Sequence, residues 1–119
     1  MKHRNMKILA LLLILMITGC AGTGKRAKWE TSDTLLQGAG LVLLTVDAFQ
    51  TSKIRDDPNA YERNPILGEQ PDGTAVATYF ISSAIIHTAI AWWLNRPWRE
   101  LWQFGLIGLE GACVVNNAR

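Results

Sequence analysis

The polar side chains that could do chemistry in this 119-residue chain are few and stand in apolar surroundings. Asp47, Gln50 and Thr51 follow at i, i+3 and i+4, so they share one face if the segment is helical. Glu62 and Asn64 sit just before Pro65. His87 lies deep in an uncharged run, with Ser83 one turn before it. Gln103, Glu110 and Asn117 recur every seven residues on a single helical face. Two carboxylates and an imidazole, Asp47, Glu110 and His87, could bind a divalent metal or relay protons if the fold brought them together. The same three could instead be structural, with His87 hydrogen-bonded to a neighbouring helix while Asp47 and Glu110 reach water near helix ends. A further grouping joins Asp47 to Glu62 and Asn64 of the following loop. In an up-down arrangement His87 and Glu110 fall toward opposite ends of their hairpin, which counts against the three-residue site.

The elements that must position these residues are helices. Asp33 or Thr34 is a candidate cap, since a side-chain oxygen there can accept an orphan backbone N–H. An apolar run from Leu35 to Val46 continues through Asp47, Gln50, Thr51 and Ile54 until Pro58 stops it. Asp56 to Gly73 reads as a loop with three prolines, ordered around Tyr61-Glu62-Arg63-Asn64-Pro65-Ile66-Leu67-Gly68. Thr74 to Leu94 is 21 residues without a charge, long enough to cross a hydrocarbon core of about 30 Å. Trp92, Trp93, Arg96, Trp98, Arg99 and Trp102 then resemble an aromatic and basic belt at a membrane interface. After Asn95-Arg96-Pro97, a last helix runs from Trp98 to Val115. On it Gly105, Gly108 and Ala112 form a small-residue stripe, expected to let the two last helices approach closely.

The N-terminus explains where such helices would be. Lys2, Arg4 and Lys7 precede an almost purely apolar run, Ile8 to Ile17, which is too short to span comfortably and fits a secretory signal. Ile17-Thr18-Gly19-Cys20 resembles the lipobox of bacterial lipoproteins. That resemblance covers residues 1–22 and implies a signal peptide at 1–19, cleavage before Cys20 and a lipid on its thiol. Residues 20–33 then read as a tether and 34–119 as a small helical domain. The fold class expected is all-α: a helical hairpin within a three-helix, membrane-associated bundle after a cleaved signal peptide. From Asp47 to Asn116 the chain also resembles uncharacterised small envelope proteins of bacteria and their phages. That likeness rests on Asp47-Ala-Phe-Gln50-Thr51 and Glu62-Arg-Asn64-Pro65-Ile-Leu-Gly68, and it implies no activity.

Composition removes several function classes. Of 12 basic and 10 acidic residues, Lys2, Arg4 and Lys7 lie in the signal, so the mature chain is slightly acidic. Nothing in it forms a basic stripe for nucleic acid. Cys113 lacks a disulfide partner once Cys20 is acylated, and no Cys/His spacing suggests a metal centre. Gly22-Thr23-Gly24-Lys25 lacks the spacing and the strand of a phosphate loop, and Ser82 and Ser83 have no nucleophile-elbow context. No cofactor is expected beyond the covalent lipid on Cys20.

The leading expectation is a lipid-anchored envelope protein with a structural or interaction role, a helical hairpin in the membrane, and lipid, another membrane protein or itself as partner. The alternatives are a membrane-embedded metal- or proton-handling enzyme using Asp47, His87 and Glu110, and a phage- or plasmid-borne lipoprotein that modifies the envelope. Ala21 after the cysteine would permit export to the outer membrane by resemblance to Gram-negative lipoproteins. A spanning hairpin argues for the inner membrane.

Overall fold

The computed structural model describes residues 27–118, and among them the chain forms three helices and no strand: α1 (Thr31–Asp56), α2 (Gly73–Trp93) and α3 (Trp98–Asn117). The signal segment, its lipobox and Cys20 lie outside the described residues. The all-helical expectation holds, and α2 is long and apolar enough to cross a membrane. The start of α1 is corrected. Neither Asp33 nor Thr34 is the cap; the helix begins at Thr31, with Glu30 in the capping position. The reason is a reciprocal contact: the Glu30 backbone N–H donates to Asp33 Oδ2 at 2.8 Å, while the Asp33 N–H donates to the Glu30 carbonyl at 3.1 Å. The helix is therefore already under way in what reads as tether.

α1 ends at Asp56, where Pro58 disfavours helical geometry in the residue before it. The loop that follows is ordered by its own side chains. Asn64 Oδ1 accepts the Ile66 N–H at 3.0 Å, and the Asn64 carbonyl accepts the N–H groups of Leu67 and Gly68, both at 3.1 Å. Gly68 completes the turn at φ 78°, a conformation that penalises any side chain. Asp72 then caps α2, accepting the Ala75 N–H at 2.7 Å.

Asp33 at the start of α1 faces Arg99 at the start of α3, and Asp47 further along meets Asn117 near the end of α3. α1 and α3 therefore run parallel, with α2 antiparallel beside them. The most extensive helix interface is α1 against α3, and α2 against α3 is the least. Buried positions on α1 are Asp33, Gln37, Gly40, Leu44, Asp47 and Thr51; on α3 they are Arg99, Gln103, Leu106 and Glu110. Both sets alternate in steps of four and three, the spacing of a helix–helix seam. The two helices pack tightly at Gly40, where a Cβ would lie 2.7 Å from Leu106 Cδ2.

The small-residue stripe is corrected by this seam. Gly105, Gly108 and Ala112 are exposed, and a Cβ on either glycine would meet nothing within 4 Å. Residues 105, 108 and 112 lie about 100–160° around the helix from the buried positions 106 and 110, so the stripe faces away from the bundle. The apolar core is correspondingly small. Leu44, Val76 and Phe80 form it, with Leu41, Ala48, Leu67, Tyr79 and Ala84 packed against them.

The bundle's polarity is inverted. Leu35, Val42 and Phe49 of α1, Ile81, Ile85 and Ile86 of α2, and Leu101, Phe104 and Leu109 of α3 are all exposed. Asp33, Gln37, Asp47, Thr51, His87, Arg99, Gln103 and Glu110 are buried. Across 34–52, 73–94 and 101–115 the only Asp, Glu, Lys, Arg or His residues are Asp47, His87 and Glu110, all three inside.

Candidate functional site

The buried polar residues stack in three layers along the α1–α3 seam. In the first, Arg99 is 1% exposed and its guanidinium makes four hydrogen bonds. Nε donates to the Ala91 carbonyl at 2.9 Å, Nη1 to the Lys28 carbonyl and to Asp33 Oδ2, both at 3.1 Å, and Nη2 to the Ala27 carbonyl at 3.0 Å. Trp29 covers the same guanidinium, its ring centroid 5.2 Å away, and stacks on Trp92. Arg96 adds a second contact to Asp33 Oδ2 at 2.9 Å and also pairs with Glu30 and Glu100. Burial opposes ionisation of Asp33. The Glu30 N–H and the two arginines outweigh it, so the carboxyl lies below its ordinary range. Arg99 is thus no interface-belt residue; its register with Gln103 and Glu110 turns it inward.

The second layer holds His87. Its Nδ1 lies 3.0 Å from Gln37 Nε2, its Nε2 lies 3.2 Å from the Trp102 carbonyl, and its ring stacks on Trp102 at 4.8 Å. Trp102 Nε1 returns a hydrogen bond to the His87 carbonyl at 3.0 Å. Gln37 Nε2 also donates to Thr88 Oγ1 at 3.0 Å, and Gln103 Nε2 donates to the Asp33 carbonyl at 3.0 Å, tying this layer to the first.

The third layer is open on one side and forms the candidate site. Asp47 and Glu110 lie close to each other across the seam, both on the wall of the same cavity. Asn117 Nδ2 donates to Asp47 Oδ1 at 2.6 Å. Glu62 comes in from the loop, accepting from Thr51 Oγ1 at 3.2 Å and from the Asn64 N–H at 2.8 Å. Together these residues line a cavity of about 740 Å³. Gln50 lies just outside, donating to the Val114 carbonyl at 3.2 Å. Glu110 is only 6% exposed, and its Oε2 has no hydrogen-bond partner among the described residues.

The fold thus brings together Asp47, Glu62, Asn64 and Glu110, and leaves His87 elsewhere. Gln37, which contacts His87, precedes Asp47 by ten residues, about 15 Å of helix. Asp47, His87 and Glu110 do not make one cluster. Among the described residues, no three His, Cys, Asp or Glu side chains are grouped so as to hold a metal ion. Sequence reasoning misses the Arg99 hub and the contact in which Gln103 Nε2 donates to Gln37 Oε1 at 3.4 Å. The signal for Arg99 was present, four residues before Gln103 on the face already marked by Gln103, Glu110 and Asn117. No family model, curated protein or solved structure matches the chain.

Proposed function

We propose that this chain is a lipid-anchored envelope protein whose three helices insert in the membrane, with a structural or interaction role there. The supporting observation is that the helix bands 34–52, 73–94 and 101–115 carry no charge on their outer faces and keep their ionisable groups inside. In water that arrangement exposes apolar surface and buries groups that prefer solvent. In hydrocarbon both costs reverse, because polar side chains find partners only inside the bundle. The bands on α1 and α2 whose only ionisable side chains, Asp47 and His87, are turned inward, 34–52 and 73–94, are about 28 Å and 33 Å long at the helical rise, close to a hydrocarbon core of about 30 Å.

The attachment of the tether supports an anchor on the Arg99 side. The Ala27 N–H donates to Asn95 Oδ1 at 2.8 Å, and Arg99 holds the Ala27 and Lys28 carbonyls. From Cys20 to Ala27 an extended chain reaches no more than about 25 Å, so a lipid on Cys20 would lie at the face carrying Trp29, Trp92, Trp93 and Trp98. Those tryptophans suit an interface. The third layer would then open toward the opposite face. The inner membrane is the reading adopted, since an apolar bundle stays where it is inserted.

The test separates lipid from insertion. Cys20→Ser is expected to abolish lipid labelling and block cleavage at that site; unchanged processing sinks the lipoprotein reading. Residues 21–119, exported behind an ordinary cleavable signal and so unlipidated, are expected to stay in the membrane fraction after alkaline carbonate. Release into the supernatant overturns insertion. A metal- or proton-handling activity through Asp47, His87 and Glu110 has support only in its two carboxylates, which do meet.

A further inference from the structure

We infer that the cavity bounded by Asp47, Glu62 and Glu110 binds a ligand carrying a primary ammonium group. The cavity's charge is one-sided. Three carboxylates line it, and the one cation beside them, Arg63, is exposed and held over the Tyr61 ring at 5.9 Å. Asp47 and Glu110 face each other across a helix seam, where like charges are unfavourable unless a proton or a cation offsets them. Glu110 Oε2 supplies the second observation. It belongs to a side chain more than nine-tenths buried, it lines the cavity, and it has no donor among the described residues. A buried acceptor left unmatched is costly, so a donor is missing at that point.

Size and lining favour an organic cation over a bare ion. About 740 Å³ is the volume of a small-molecule pocket. Glu110 Oε2 offers an unfilled acceptor to one N–H of an ammonium group, and the Asp47 and Glu62 carboxylates add negative charge around the cavity without the convergent cage that a bare metal ion needs. Tyr61, Tyr79 and Phe80 also line the cavity and supply aromatic surface for a cation and its methylenes. Such a group could belong to a soluble amine or to an ethanolamine lipid headgroup. Only the lipid source rests on the membrane reading.

The full lipidated protein in phosphatidylglycerol nanodiscs, which contain no amine, is titrated with putrescine by calorimetry. In a second arm phosphatidylethanolamine is added and retained lipid is identified by native mass spectrometry. Putrescine binding assigns a soluble amine, and selective retention of phosphatidylethanolamine assigns the headgroup; either supports the site. Glu110→Gln and Asp47→Asn should each weaken binding about tenfold or more, the worth of one charged hydrogen bond. Glu100→Gln, at the other end of α3, should leave binding unchanged. The neutral isostere 1,4-butanediol should not bind, a control that needs no variant to fold. Binding by neither amine, equal binding of butanediol, binding of magnesium or calcium alone, or full affinity in Glu110→Gln overturns the proposal. Failure of both amine arms in a protein that resists carbonate overturns the site and leaves insertion standing.

Discussion

Arg99→Ala is expected to lower stability by about 3–5 kcal/mol, the cost of removing one partner from a buried ion pair. The substitution does more than unpair Asp33. It strips the donor from the Ala91 carbonyl, in a buried bond, and from the partly buried carbonyls of Ala27 and Lys28. Arg96 still reaches Asp33 at 2.9 Å, so the carboxylate keeps one cation and the loss should sit toward the lower end of that range. Arg99→Lys should recover less than half of it, because an ammonium lacks the planar fork that serves Nε, Nη1 and Nη2 at once. Arg96→Ala is the contrast. Arg96 is partly exposed, and its pairs with Glu30 and Glu100 are solvent-screened, so about 1 kcal/mol is expected. Thermal unfolding in detergent micelles, followed by circular dichroism, ranks the three. Equal losses for Arg96→Ala and Arg99→Ala would mean that the hub is no more important than the surface pairs. The tether should also loosen in Arg99→Ala, which faster proteolysis between Lys25 and Lys28 would report.

Why that hub escaped a reading of the sequence is a question of what buried faces usually look like. A helix announces its inner face by apolar residues at helical spacing. Here the inner positions of α1 are Asp33, Gln37, Gly40, Leu44, Asp47 and Thr51, and only one of the six is a large apolar residue. The apolar residues mark the outside instead. The helices themselves were legible, because long uncharged runs and proline breaks do not depend on which face is inward. α2 was expected from Thr74 to Leu94 and runs from Gly73 to Trp93. The start of α1 was not legible, since Glu30 and Asp33 look like tether charges until each is seen bonding the other's backbone. In the candidate site, Asp47 with Glu62 and Asn64 could be anticipated, because a loop returns over the end of the helix it follows. Glu110 and Asn117 join them only because α1 and α3 are parallel neighbours. That pairing is tertiary and leaves no local trace.

Gly40→Leu should lower stability by about 3 kcal/mol, the upper end of what overpacking costs. A Cβ there already falls 2.7 Å from Leu106 Cδ2 and 3.2 Å from its Cγ. Leu106 is itself buried between Gln103 and Glu110 on the seam, so it has little room to swing aside. Gly40→Ala should cost less, about 1 kcal/mol, because the gain in helix propensity partly offsets the clash. Leu106→Ala alone opens a void and destabilises by about 2–5 kcal/mol. Combined with Gly40→Leu, the two losses should fall well short of additive, since the new side chain fills the space the old one vacates. Gly108→Leu is the control that decides between two packings. A seam through Gly105, Gly108 and Ala112 would make it as harmful as Gly40→Leu; with Gly108 facing outward, where a Cβ meets nothing within 4 Å, the change should stay within about 0.5 kcal/mol. Thermal unfolding of the five variants in one detergent reads the order directly. A harmless Gly40→Leu beside a damaging Gly108→Leu would move the helix contact to the other face of α3. Because Asp47 on α1 and Glu110 on α3 lie together just beyond this contact, spreading α1 from α3 should also widen the third layer, so Gly40→Leu is expected to weaken amine binding without touching a cavity residue.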